Sequence, residues 1–178
     1  MRGICLLNHR PHSYTPFKSI MRLPREEAFA LAAKLYEDKT CTANIRFGAD
    51  EFANYYETRL KAEERLYNKF TSLGGKPEEN HPLYFYVHGW DLSKKFWADC
   101  VTEKLELDDI DACDISFTFG DSHVENDNPE NNRLFMKDEL MELVAEHGGI
   151  EALIAHVKGQ LGYGMIEAQL WNDAYVVR

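Results

Sequence analysis

Arg59 and Glu63 lie four residues apart, in the middle of a stripe that is otherwise apolar. At about 100° per residue the stretch from Asp50 to Gly74 reads as one long helix. Phe52, Tyr56, Leu66, Tyr67, Phe70 and Leu73 fall on one side of it. A helix side of that composition is buried, and the two charges go with it. Desolvating them costs several kcal/mol unless they are paired and hydrogen-bonded. Compensation comes either from each other, with nearby polar groups, or from a ligand. An Arg followed four residues later by a Glu is the less favourable order for a direct helical pair.

Strand parity supplies a second set of polar groups. Side chains alternate along a strand, so Ser116 and Thr118 share a face, as do Glu167 and Gln169, and as do Tyr84, Tyr86 and His88. If these rows point the same way, the sheet offers hydroxyls, a carboxylate, an amide and an imidazole on one surface. Such a surface either faces solvent, as one side of an antiparallel sheet commonly does, or floors a cleft. In the second case the long helix is its wall. The candidate cleft then comprises Tyr56, Arg59 and Glu63 from the helix, with Tyr86, His88, Ser116, Thr118, Glu167 and Gln169 from the sheet.

Ser116-Phe117-Thr118 resembles the hydroxyl strand of ADP-ribosyltransferases, and Glu167-Ala168-Gln169 resembles their carboxylate strand. The likeness covers six residues and departs from the family pattern, which places glutamate last, where this chain has Gln169. It does not assign the chain to that family. It implies a nicotinamide dinucleotide as substrate, with Glu167 polarising a ribose hydroxyl and stabilising oxocarbenium-like charge as nicotinamide leaves.

Two further segments carry chemically useful groups. His9, Arg10 and His12 place two imidazoles and a guanidinium in a short loop, fit to seat an anion or to move protons near neutral pH. A surface loop with hydrogen-bonding side chains is the alternative. On extended backbone His123, Glu125 and Asp127 share a side and offer nitrogen and oxygen donors to a divalent cation. That loop lacks the turn glycine and terminal glutamate of an EF-hand, and an acidic loop ordinarily serves only to keep a surface hydrated. Neither a metal nor a cofactor is expected. Cys5, Cys41, Cys100 and Cys113 are too scattered for a zinc ladder, and Cys5 and Cys113 read as buried free thiols.

The elements that position these groups follow from period and punctuation. Gly3 to Leu7 and Phe17 to Leu23 read as strands, with a loop from Asn8 to Pro16 between them. Pro24 opens a helix carrying Ala28, Leu31, Ala32 and Leu35 on one side. A polar connector from Lys39 to Gly48 leads to Asp50, the expected cap of the long helix, and Gly74-Gly75 ends it. Leu83 to Val87, Val101 to Leu107, Asp114 to Phe119 and Met165 to Trp171 read as strands, with Asp91 capping a short helix through Trp97. Gly120 to Asn132 reads as a loop, and Lys137 to His147 and Ile150 to Leu161 as a helix pair. The expected architecture is one α+β domain: a mainly antiparallel sheet of four or five strands, packed by the long helix and the C-terminal pair.

Length and charge set the outer bounds. A chain of 178 residues, 44% hydrophobic, builds a core without metals or disulfides. A net charge of −10, with no basic run, argues against nucleic acid and anionic membranes as partners. With no secretory apolar segment in Met1 to Leu7 and no stretch of about 20 apolar residues, the expected compartment is the cytoplasm. The expectation is a cytosolic protein that binds a small molecule or a protein partner at the polar cleft. The alternative is an enzyme using that cleft, acting on a nicotinamide dinucleotide or as a metal-dependent hydrolase.

Overall fold

Runs of β-branched and aromatic residues bounded by glycine and proline become strands, and here all of them join one sheet. The computed structural model describes residues 3–39, 41–90, 95, 100–123 and 133–176. Its strands are β1 (Cys5–Arg10), β2 (Leu83–Val87), β3 (Val101–Glu106), β4 (Ile115–Phe119), β5 (Leu134–Met136) and β6 (Ile166–Leu170). They lie in the order β3-β1-β2-β6-β4-β5. Every neighbouring pair is antiparallel. Among the described residues four α-helices, α1 (Arg25–Glu37), α2 (Ala49–Ser72), α3 (Lys137–His147) and α4 (Ile150–Leu161), complete a single α+β domain: α3 and α4 pack on one face of the sheet, α2 on the other, and α1 against α2.

Register decides which side chains share a face. Phe85 and Phe117 both stand opposite Ala168, whereas Tyr86 and Thr118 both stand opposite Glu167. The first face is apolar and buries Phe85, Phe117, Ile166 and Leu170 against Leu140 and Val144 of α3 and Leu153 and Val157 of α4. Gly148 (φ 81°) and Gly149 (φ 138°) adopt backbone that few other residues tolerate, which lets α4 fold back beside α3. The second face is polar at its centre and lies under α2. Leu66 and Phe70 of α2 close one end of it on Trp171 and Leu134. Phe52 and Tyr56, further along the same helix, join α1 in a separate cluster with Ala28, Ala32 and Leu35.

The structure corrects several local expectations. Phe17 to Leu23 is not a strand: Phe17 has φ 51°, outside the extended region, and Ile20–Arg22 form a short 3-10 turn capped by the Ser19 hydroxyl. The sheet has six strands rather than four or five, because β5 is three residues long and too brief to show a period. Gly48, not Asp50, holds the cap position of α2, while Asp50 and Glu51 sit in the first turn and favour the helix dipole. The connector before α2 is wound into a 3-10 helix over Thr42–Phe47. The helix expected after Asp91 lies outside the described residues except at Lys95, which is helical. No helix among those described is long and apolar enough to cross a membrane.

Phe70 is fully buried and stacks on Trp171 with ring centroids 5.1 Å apart, whereas Leu73, one turn on, is exposed. Phe70→Ala is expected to lower the unfolding free energy by about 3–5 kcal/mol and Leu73→Ala by under about 0.5 kcal/mol. Urea denaturation of the two variants checks this, and equal losses would contradict the placement of α2 on the sheet.

Candidate functional site

The polar face is not a solvent-facing side of the sheet. Ser116, Thr118 and Gln169 are completely inaccessible and Glu167 nearly so. Register lets them satisfy one another. The Ser116 hydroxyl donates to Gln169 Oε1 at 2.9 Å and accepts from the Trp171 indole N–H at 2.9 Å. The Gln169 amide donates to Thr118 Oγ1 at 3.2 Å and to Glu167 Oε1 at 3.1 Å. The Ser122 hydroxyl closes the chain with a short bond to the same Glu167 oxygen. Side-chain amides and hydroxyls at this depth survive only when so paired.

Above Glu167 the sheet and α2 part to leave a cleft of about 370 Å³. Arg59 and Glu63 line it from α2, Tyr84 and Tyr86 from β2, Glu167 from β6, and His9 and Arg10 from the end of β1. Gly120, at φ 77°, turns the chain out of β4 and brings Asp121 and His123 to the rim. Tyr55, Arg46 and Tyr14 also line it.

Arg59 and Glu63 do not pair with each other. Glu63 is fully buried and fully met: Oε2 lies 2.5 Å from His81 Nδ1, and Oε1 accepts from the Tyr84 hydroxyl at 3.1 Å. Arg59 is in the opposite condition. Its side chain is 9% exposed, yet its closest carboxylate, Asp121, is 3.9 Å from Nη2, beyond hydrogen-bond reach. Nε and Nη1 are buried without any acceptor. The charge rests against rings, with the guanidinium carbon 4.5 Å from the centre of the Tyr84 ring and 5.5 Å from that of Tyr55, and Glu167 and Asp121 favour it through space.

Ionisation in the cleft follows from this packing. Burial pushes the Glu167 carboxyl up to about 7, with Asp121 adding to the rise and Arg59, Ser122 and Gln169 opposing it. Burial, then the Arg59 charge, lowers His123 to about 4, so its imidazole is neutral near pH 7. His123 stacks on Tyr55 at 4.7 Å, and its Nδ1 is buried without a partner. Burial also lowers His9, which stacks on Tyr86 at 5.9 Å. Burial and the Glu63 charge hold Tyr84 well above its usual range, and burial and Glu167 do the same for Tyr86, so both phenols stay protonated.

Of the residues singled out from sequence, Arg59, Glu63, Tyr86 and Glu167 come together in the cleft, and His9 and Arg10 join them because β1 runs three residues further than its apolar part. Ser116, Thr118 and Gln169 lie beneath the cleft as supports, so the hydroxyl strand that resembled ADP-ribosyltransferases turns its hydroxyls to the interior. Tyr56 is a core residue of the α1–α2 cluster. His88 follows the end of β2, and its Nδ1 accepts from the Cys5 backbone N–H at 3.0 Å. His12 is exposed and does not line the cleft. Glu125 and Asp127 lie outside the described residues, and among those described no three His, Cys, Asp or Glu side chains converge as metal ligands. Tyr55, His81, Asp121 and Ser122 were not singled out as site residues. The available signal was position, since Asp121 and Ser122 follow the hydroxyl strand directly and His81 stands just before β2.

The chain matches no known protein family, no curated protein and no solved structure. The site therefore rests on its own chemistry: a fixed guanidinium, ring walls, and a carboxyl poised to take or give a proton near neutrality.

That carboxyl has a measurable signature. A Glu in the unfolded chain ionises near pH 4.5, so between there and about 7 the folded state binds more protons and stability falls as pH rises. Glu167→Gln keeps an acceptor for Ser122 and Gln169 but cannot ionise. Its stability relative to the parent is expected to climb by at most about 1.4 kcal/mol per pH unit between 5 and 7 and to level off above. Urea titrations at several pH values check this, and a difference independent of pH would contradict it.

Proposed function

We propose that the protein binds a small ligand in the cleft between α2 and the polar face of the sheet. One observation carries this reading: a buried arginine beside an open cavity, whose Nε and Nη1 have no acceptor and whose nearest carboxylate, Asp121, stands 3.9 Å away. A cavity of this size, with rings on its walls and a few fixed polar groups, suits a small aromatic metabolite better than a peptide or a folded partner. The acidic chain as a whole disfavours nucleic acid.

Glu167 supports a second reading, in which the cleft is an active site. A carboxyl held up to about 7 at a cavity wall is suited to general acid–base work. Beside it Arg59 would stabilise negative charge developing on a substrate.

Amide NMR of the labelled protein, titrated with a library of small polar aromatic fragments, tests the first reading. Hits are expected to shift resonances of Tyr55, Arg59, Tyr86 and Glu167 together. Hits scattered over the surface, or none at all, would contradict it. Recovering every bound fragment unchanged after long incubation would weigh against the second.

A further inference from the structure

The charges around the cleft specify what enters it. Three carboxylates line it; Glu167 and Asp121 favour the Arg59 charge through space, but none accepts a hydrogen bond from it. Glu63 is taken up by His81 and Tyr84. Asp121 is 42% exposed and beyond hydrogen-bond distance. Glu167 already accepts from Ser122 and Gln169, and near neutral pH it is uncharged for part of the time. On the other side of the balance, Lys18 and Arg46 also line the cleft. In a chain of net charge −10 this cavity is a locally cationic spot.

Geometry narrows the demand further. The rings of Tyr55 and Tyr84 lie against the Arg59 guanidinium, and its N–H groups point outward in their own plane. A planar fork of donors is matched by the paired oxygens of a carboxylate or phosphate, and by little else of that size. Two ring pairs, Tyr55 with His123 and His9 with Tyr86, face the same cavity and offer flat apolar surface next to that fork.

We infer that the ligand carries an oxyanion, a carboxylate or a phosphate, that takes the Arg59 guanidinium, on an aromatic body that lies against the Tyr55–His123 and His9–Tyr86 pairs. This inference rests on the reading of the cleft as a ligand site and specifies the class of ligand. The oxyanion supplies the acceptors that Arg59 lacks and displaces its loose approach to Asp121. The neighbouring Glu167, when protonated, adds no repulsion.

Four probes test it: benzoate, its neutral analogue benzamide, phenyl phosphate and inorganic phosphate, each titrated by amide NMR into the parent protein, Arg59→Met and Arg59→Lys. Benzoate or phenyl phosphate is expected to bind at the cleft at least about tenfold more tightly than benzamide, the scale of one charge-assisted bidentate contact. Whichever of the two binds more tightly identifies the carboxylate or the phosphate as the source. Arg59→Met is expected to reduce the anions to the affinity of benzamide and leave benzamide within about twofold of the parent. Arg59→Lys, which keeps the charge and loses the fork, is expected to fall between, and it serves if Arg59→Met does not fold. Benzamide binding at the cleft as tightly as both aromatic anions, or anion binding unchanged in both variants, would overturn the inference while leaving the cleft a ligand site. Inorganic phosphate binding as tightly as phenyl phosphate would overturn the aromatic part. Failure of all four probes to move cleft resonances would count against both the inference and the reading beneath it.

Discussion

Burying the polar row of the sheet under α2 is the constraint on which the rest of the structure depends. At its centre both faces of this sheet are covered, yet only one is apolar. An amide or hydroxyl moved from water to such an interior without a partner costs a few kcal/mol. Ser116, Thr118, Glu167 and Gln169 therefore have to satisfy each other, which fixes the register of β4 against β6 as firmly as the phenylalanines opposite do. A slip of one residue would strand every member of that network and turn Phe117 into it. Trp171 and Ser122, at the two ends of the row, complete the hydrogen bonding and anchor the segments that follow β6 and β4.

The helix above meets the same demand unevenly. Glu63 has an imidazole and a phenol within reach and needs nothing more. Arg59, one turn earlier, has ring faces but no acceptor for Nε or Nη1. Two charges of opposite sign on one helix stripe thus have different standing: the carboxylate is hydrogen-bonded into the fold, and the guanidinium rests against tyrosine rings beside a cavity. Buried donors left without acceptors lower the stability of a fold, and departures of this kind gather at functional sites. Glu167 mediates between the two conditions, because it is hydrogen-bonded from below and titrates next to Arg59.

Much of this was legible in the sequence, and the parts that were not have physical reasons. Period identified α1 to α4 and five of the strands, since α2 with Phe52, Leu66 and Phe70, and β4 with Ile115 and Phe117, carry long regular patterns. It failed where regularity is short or absent: β5 has three residues, and Phe17 breaks extended geometry with φ 51° despite a strand-like neighbourhood. Parity correctly grouped Tyr86, Glu167, Gln169, Ser116 and Thr118 on one face. It could not separate the residues that reach the cleft from those beneath it, because depth depends on where α2 crosses the sheet. Nor does spacing reveal that Glu63 prefers His81, eighteen positions away, to Arg59, four away. That choice is made by the loop leading into β2.

The central claim is that Arg59 serves a ligand rather than the fold, and the unfolding free energy of Arg59→Met in urea at pH 6, with no ligand added, tests it most directly. Methionine fills similar space without a charge, Glu63 keeps both its partners, and Glu167 is free to remain protonated. The account predicts a variant as stable as the parent, or more stable by about 1–2 kcal/mol, as when buried charges give way to apolar groups of similar volume. A loss of about 3 kcal/mol or more, the cost of breaking a buried ion pair, would show that Arg59 holds the structure together and would contradict the account.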